Sequence, residues 1–264
     1  MAVPFKFYLA HISGNAGYRA NWEPNKPLVL GMVGKLTNGV FDVITTLEQE
    51  GFEPQILKDS SPGELDYTSN QTVDIDIKLA GKAPSVGSVL TEADAGFVLD
   101  FKGENAVVFQ IKDTLTHQVM NLGKMEHEIV SRFKDKKWPK DWLIITQLVE
   151  AVSATIIVSN SANNKIELKA TANAGTPNLK LTDANLGLTV AKEKGSSLKV
   201  IAQAGITPLY RVMGIRHPLF GKTSLKSRGI APGVQEEEKF RYQDFDEREL
   251  EEEIPAELDE SEGA

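Results

Sequence analysis

Val73-Asp74-Ile75-Asp76-Ile77-Lys78-Leu79 alternates aliphatic and charged residues over seven positions. In an extended chain that pattern puts four aliphatics on one face and three charges on the other, and no helix can sort them so. The segment is a strand with one face to cover. Residues 95–101 and 106–112 are two further strand candidates, and Lys102-Gly103-Glu104-Asn105 between them has the length and glycine of a hairpin loop. From Thr155 onward the rhythm repeats over 155–159, 165–171, 178–181, 187–191, 197–202 and 209–215, broken by Asn-, Gly- and Pro-bearing turns. Leu143–Thr146 also has buried-strand character.

Other segments set the class. Leu122, Met125, Ile129 and Phe133 are spaced three, four and four apart, which predicts a helix over 120–133, and Pro139 lies in the segment that ends it. Runs at 28–33 and 40–47 are of strand length or one to three helical turns. The whole reads as α+β: a strand-rich, antiparallel twisted sheet with few helices, plus an acidic C-terminal tail. The expected division is a body over 1–221 and a linker with tail over 222–264.

Charge divides the chain at the same place. From Gln235 to Ala264, eleven Glu and three Asp face only Lys239, Arg241 and Arg248, a net −11. The chain as a whole carries −8, so everything before the tail is +3. An acidic peptide tethered to a mildly basic surface has a high effective concentration on it and acts as a removable mask; a plain solubilising tail has the same composition. Tyr242 and Phe245 lie three apart and Leu250 and Ile254 four apart, so a helix there would present an apolar stripe for docking. The linker over 221–234 contains glycines, a proline, Lys222, Lys226 and Arg228, and its exposed backbone is easily cut. Lys226 or Arg228 would suit a trypsin-like protease, and Asp244 or Asp246 a caspase-like one.

Several chemistries find no support. The chain has no cysteine, which removes disulfides, thiolate zinc sites, cysteine nucleophiles and S-acylation together. His11, His117, His127 and His217 are scattered singly. His127-Glu128 begins like a zinc-protease motif, but Arg132 falls near where the second histidine belongs. There is no phosphate-cradling glycine loop and no Gly-x-Ser-x-Gly, and Asp74 with Asp76 reads as a solvated strand face. The expectation is a non-enzyme without cofactor or metal. An excess of three positive charges over 234 residues makes nucleic acid a poor partner. No stretch approaches 18 apolar residues and the N-terminus lacks a signal-peptide pattern, so a cytoplasmic protein is expected. Lys134, Lys136, Lys137, Trp138, Lys140 and Trp142 combine cations with indoles, as membrane-interface contacts do; a packed loop with one buried Trp is the alternative.

Trp142 to Val158, the strand ending near Ala170, the Leu186-Gly187-Leu188 step and Ala204 to Val212 together resemble the second half of the gasdermin pore-forming domain. Val108 to Val119 ahead of a helix resembles the matching strand and helix of bacterial gasdermins. The likeness spans about 65–216 and is one of segment order and residue type. It implies a cytosolic, autoinhibited monomer whose C-terminal segment is removed by a partner protease. The freed body would then oligomerise in the cell inner membrane as a β-barrel pore, killing the cell in antiphage defence. Leu65 to Leu79 with Val98 to Ile111 would furnish one spanning hairpin, and Thr155 to Thr171 with Leu179 to Val200 the other. Many bacterial members carry an acylated cysteine that this chain lacks, and its first forty residues do not match. The competing expectation is a non-catalytic cytosolic binding protein whose acidic tail docks a basic partner.

Overall fold

The computed structural model describes residues 4–24, 26–68, 72–104, 106–159, 161–172, 178–195, 197–201, 205–216 and 239–242. In chain order these form helix α1 (Pro4–Ala16) and strands β1 (Arg19–Ala20), β2 (Met32–Thr37), β3 (Val40–Thr46), β4 (Ile56–Leu57), β5 (Gly63–Thr68), β6 (Val73–Lys78), β7 (Gly96–Phe101) and β8 (Ala106–Val119). Helix α2 (Leu122–Lys134) follows, then β9 (Leu143–Ser159), β10 (Asn164–Lys169), β11 (Thr189–Lys194), β12 (Ser197–Ile201), β13 (Ile206–Arg216) and β14 (Lys239–Tyr242). The described residues are thus strand-rich, with two α-helices, and the sheets are antiparallel.

The spine is β9, 17 residues long. Its sequence is mostly β-branched and apolar, and all of it except Glu150 and Val152 is at least partly buried, which suits a central strand. One edge of β9 takes β12 and then β13; the other takes β8 and then β2. Outside these, β5 and β4 add to β8, β3 adds to β2, and β1 and β14 add to β13. A second sheet of four strands runs in the order β11-β10-β7-β6.

Period-2 alternation sorts the core. Val107, Phe109 and Ile111 of β8 and Ile156 and Val158 of β9 face α1, whose Tyr8, Leu9 and Ile12 lie over them. The intervening Ala106, Val108 and Ile157 face the other way, into the second sheet. α2 buries Met125 and Ile129 against Val33, Ile144 and Trp138. The expected helix is therefore present within two residues at its start and one at its end, while α1 had no clear sequence signal.

Several expectations need correction. Residues 102–105 are not a hairpin turn: β7 pairs with β6 and β10, whereas β8 pairs with β9, β5 and β4, so the chain passes from one sheet to the other. Residues 143–146 and 155–159 are two ends of the single strand β9. Residues 178–181 form no strand; the segment lies across the sheets without a backbone ladder of its own. In the tail, Lys239–Tyr242 is a strand on β13 rather than part of a helix. The boundary expected at 221/222 lies outside the described residues.

Candidate functional site: a bent ribbon between two sheets

Strands β8 and β9 pair from Gln118↔Gln147 to Ala106↔Ser159. Beyond that point β7 and β10 pair from Phe101↔Asn164 to Gly96↔Lys169. This is one register carried through both sheets without slip: each residue advanced on one chain segment is matched by one on the other. The breaks, 102–105 and 160–163, are equal in length. The inner strands of the two sheets are thus one antiparallel ribbon, bent once.

The outer strands share the bend. β5 and β6 are parted by 69–72, and β11 and β12 by 195–196. Their registers are not continuous. Tyr67↔Phe109 and Ile75↔Leu99 differ by a two-residue slip across the break, and β10–β11 contains a bulge at Glu167/Leu168.

Local contacts hold the bend. The Lys102 amide donates to the Thr72 carbonyl at 2.8 Å, and its ammonium pairs with Asp74. Asn163 adopts φ +58, and the adjacent buried Asn164 donates from Nδ2 to the Ser159 hydroxyl at 3.0 Å. Gly195, at φ +112, sits so close that a Cβ there would lie 2.8 Å from Asn164 Cγ. Only glycine fits both the backbone and the space.

The second sheet has two unlike faces. Phe97, Leu99, Phe101, Ile166 and Leu168 are buried toward the first sheet. Asp74, Asp100 and Lys165 lie in one cross-strand row on the opposite face, with Lys165 Nζ 3.8 Å from Asp100. The apolar face is closed by the segment 178–188, which contributes Leu179, Leu181, Leu186 and Leu188. The first part of that cover is tied to β9 through hydroxyls: Ser153 Oγ donates to the Thr182 carbonyl at 2.5 Å, and Thr155 Oγ1 to that of Leu181. Such a cover can lift without breaking a strand ladder.

Of the residues expected at a membrane, Lys134, Lys136, Lys137 and Lys140 are exposed at the end of α2 and just beyond it. Trp142 is half-buried. Trp138 is buried among core residues, edge-on to Phe52 and Trp142 at 5.8 and 5.2 Å, so it is a packing residue in this conformation. Tyr242 lies opposite Met213 on β13, and β14 runs beside α2. Lys226, Arg228, Asp244, Phe245, Asp246, Leu250 and Ile254 lie outside the described residues. Among the described residues no group of three His, Asp or Glu is placed to hold a metal, and no helix is long and apolar enough to cross a membrane.

No protein-family model matches the chain. No curated protein matches it either. The sequence showed the alternation in its strands but not the bend: a four-residue break with a glycine suits a turn as well as a kink. In the sequence the breaks read as 102–105 and 160–164, and their equal length emerges only because β10 begins at Asn164.

Proposed function

We propose that this chain is a resting-state pore-forming protein, similar in kind to the bacterial gasdermins, whose bent ribbon straightens into membrane-spanning β-hairpins. The uninterrupted register through β8–β9 and β7–β10 carries this reading, because straightening the inner ribbon breaks no existing pair. Straightened, the inner strands would run from Gly96 to Val119 and from Leu143 to Lys169. Each is more than twice the roughly 9–11 residues that a tilted strand needs to cross a bilayer. One face of their outer ends would be apolar toward lipid and the other polar toward a lumen, the pattern of a barrel wall.

Energetics favour a membrane trigger. Lifting the cover and straightening the ribbon would expose Phe97, Leu99, Phe101, Ile166 and Leu168, which pack on both the cover and the first sheet. At roughly 1.5–3 kcal/mol each, their exposure to water costs on the order of 10 kcal/mol. That is comparable to the roughly 5–15 kcal/mol stability of a whole domain, so the ribbon stays bent in water. Lipid removes the penalty because those side chains then enter hydrocarbon.

The acidic tail fits as the restraint. β14 extends β13 at its edge beside α2, whose C-terminal end carries the exposed lysines. This favours a tail that docks on its own body over one that docks a basic partner. A protease cutting within 222–234 would release the tail and free those lysines for anionic lipid, each worth roughly 1 kcal/mol near the surface. The freed bodies would assemble into a homo-oligomeric barrel in the cell membrane, the death of the cell serving as defence against phage. Dye release from anionic liposomes, by the full chain carrying a specific protease site in that linker, tests the proposal. Leakage only after the cut is expected; intact vesicles on both sides of the cut would refute it.

A further inference from the structure

The polar face of the second sheet carries a strap that the pore reading does not use. Residues 79–95 connect β6 to β7 and close on themselves through the Gly81 amide to the Glu92 carbonyl at 2.8 Å. The buried Lys78 ammonium gathers the strap's base, donating to the carbonyls of Leu79 at 2.7 Å and Asp94 at 3.0 Å. The strap does not stay over its own strands. Its middle reaches β10, where Glu167 Oε2 accepts from Ser88 Oγ at 2.7 Å and from the Val89 amide at 2.8 Å. Lys192 of β11 donates to the Gly87 carbonyl at 2.8 Å. At the strap's end, Asp94 pairs with Lys169 at 2.6 Å and accepts from the Thr91 amide and hydroxyl.

Glu167 is the informative residue. It is completely buried, in a strand whose neighbours Ile166 and Leu168 face the apolar side. A buried carboxylate carries a large desolvation cost and persists where it is hydrogen-bonded or paired. Both groups that its Oε2 binds belong to the strap between β6 and β7.

We propose that residues 79–95 are a latch and Glu167 its catch, clipping the tip of the first hairpin segment onto the second so that the two are released together. Deletion of the catch would loosen both segments, since β10 and β11 lie under the strap. The proposal deepens the pore reading only in its last consequence, that an open latch speeds straightening; the latch itself is a property of the resting protein.

Amide hydrogen exchange on the full-length chain tests it, comparing Glu167→Ala and Ser88→Ala with the parent. Exchange at 85–92 should rise at least tenfold in Glu167→Ala, less in Ser88→Ala, and protection of β10 and β11 should fall with it while β13 is unchanged. Unchanged exchange at 85–92 overturns the proposal. So does a loosened strap over a fully protected β10–β11, which would make Glu167 a pin for one loop. Should Glu167→Ala fail to fold, Ser88→Ala and Glu167→Gln carry the same comparison. A second arm separates the latch from the pore: after tail cleavage, vesicle leakage should begin at least threefold sooner in Glu167→Ala. Equal onset in two leaking proteins refutes the coupling, whereas no leakage from either refutes the pore and leaves the exchange result standing.

Discussion

Asp94 and Glu167 fasten the strap by charge, and this gives it a direction in pH. The Lys169 ammonium, with the Thr91 amide and hydroxyl, holds the Asp94 carboxyl far below the usual carboxylate range. Burial pushes Glu167 up, but the Ser88 hydroxyl, the Val89 amide and the Lys192 charge outweigh it and hold it below that range as well. A depressed pKa stabilises the fold above the unfolded-state value and is lost as pH falls through the folded-state value. The strap should therefore be fully fastened at neutral pH and loosen only below the ordinary carboxylate range. The Val89 amide resonance, followed by NMR from pH 7 downward, checks this; a change centred near neutrality would contradict it. Leu186 tests the cover at the same scale. It is fully buried under the second sheet, and Leu186→Ala should cost about 2–5 kcal/mol in denaturant unfolding.

Among the elements, the inner ribbon should behave as one unit. Asp100 and Lys165 face each other across β7 and β10, and the chain has no cysteine to interfere. A disulfide between Asp100→Cys and Lys165→Cys joins residues that stay partners whether the ribbon is bent or straight. Oxidation should leave leakage after tail cleavage unchanged, and inhibition by oxidation would contradict a retained register. The elements also show what a sequence can convey. Alternation in β6 and the three-four-four spacing of α2 are local, so both were legible. The partner of β7 was not, because 102–105 could reverse the chain or merely kink it, and the choice is made by distant residues. The cover over 178–188 was unreadable for a related reason: Leu179 and Leu181 alternate like a strand, yet the carbonyls of Leu181 and Thr182 accept from the hydroxyls of Thr155 and Ser153 in place of a ladder. Of the residues expected at a membrane, the four lysines are exposed, while Trp138 is consumed by packing against Phe52 and Trp142.

For the whole molecule, the proposed restraint combines the opposed charges of body and tail with the strand β14. A four-residue edge strand is a weak attachment by itself, and the −11 tail adds attraction that salt screens within about 10 Å at 0.1 M. Cleavage of the linker should thus release the tail more readily at high salt, measurable by gel filtration of the cut protein. Straightening of the ribbon is the step on which the proposed pore depends. Val152 and Lys169 are exposed positions on β9 and β10, on opposite sides of the break. In one straight strand of about 3.3 Å per residue they would stand about 55 Å apart. Spin labels on Val152→Cys and Lys169→Cys, read by pulsed dipolar spectroscopy, should report a shorter distance in the intact protein and about 55 Å after tail cleavage on anionic vesicles. A distance unchanged by cleavage and membrane would contradict the account.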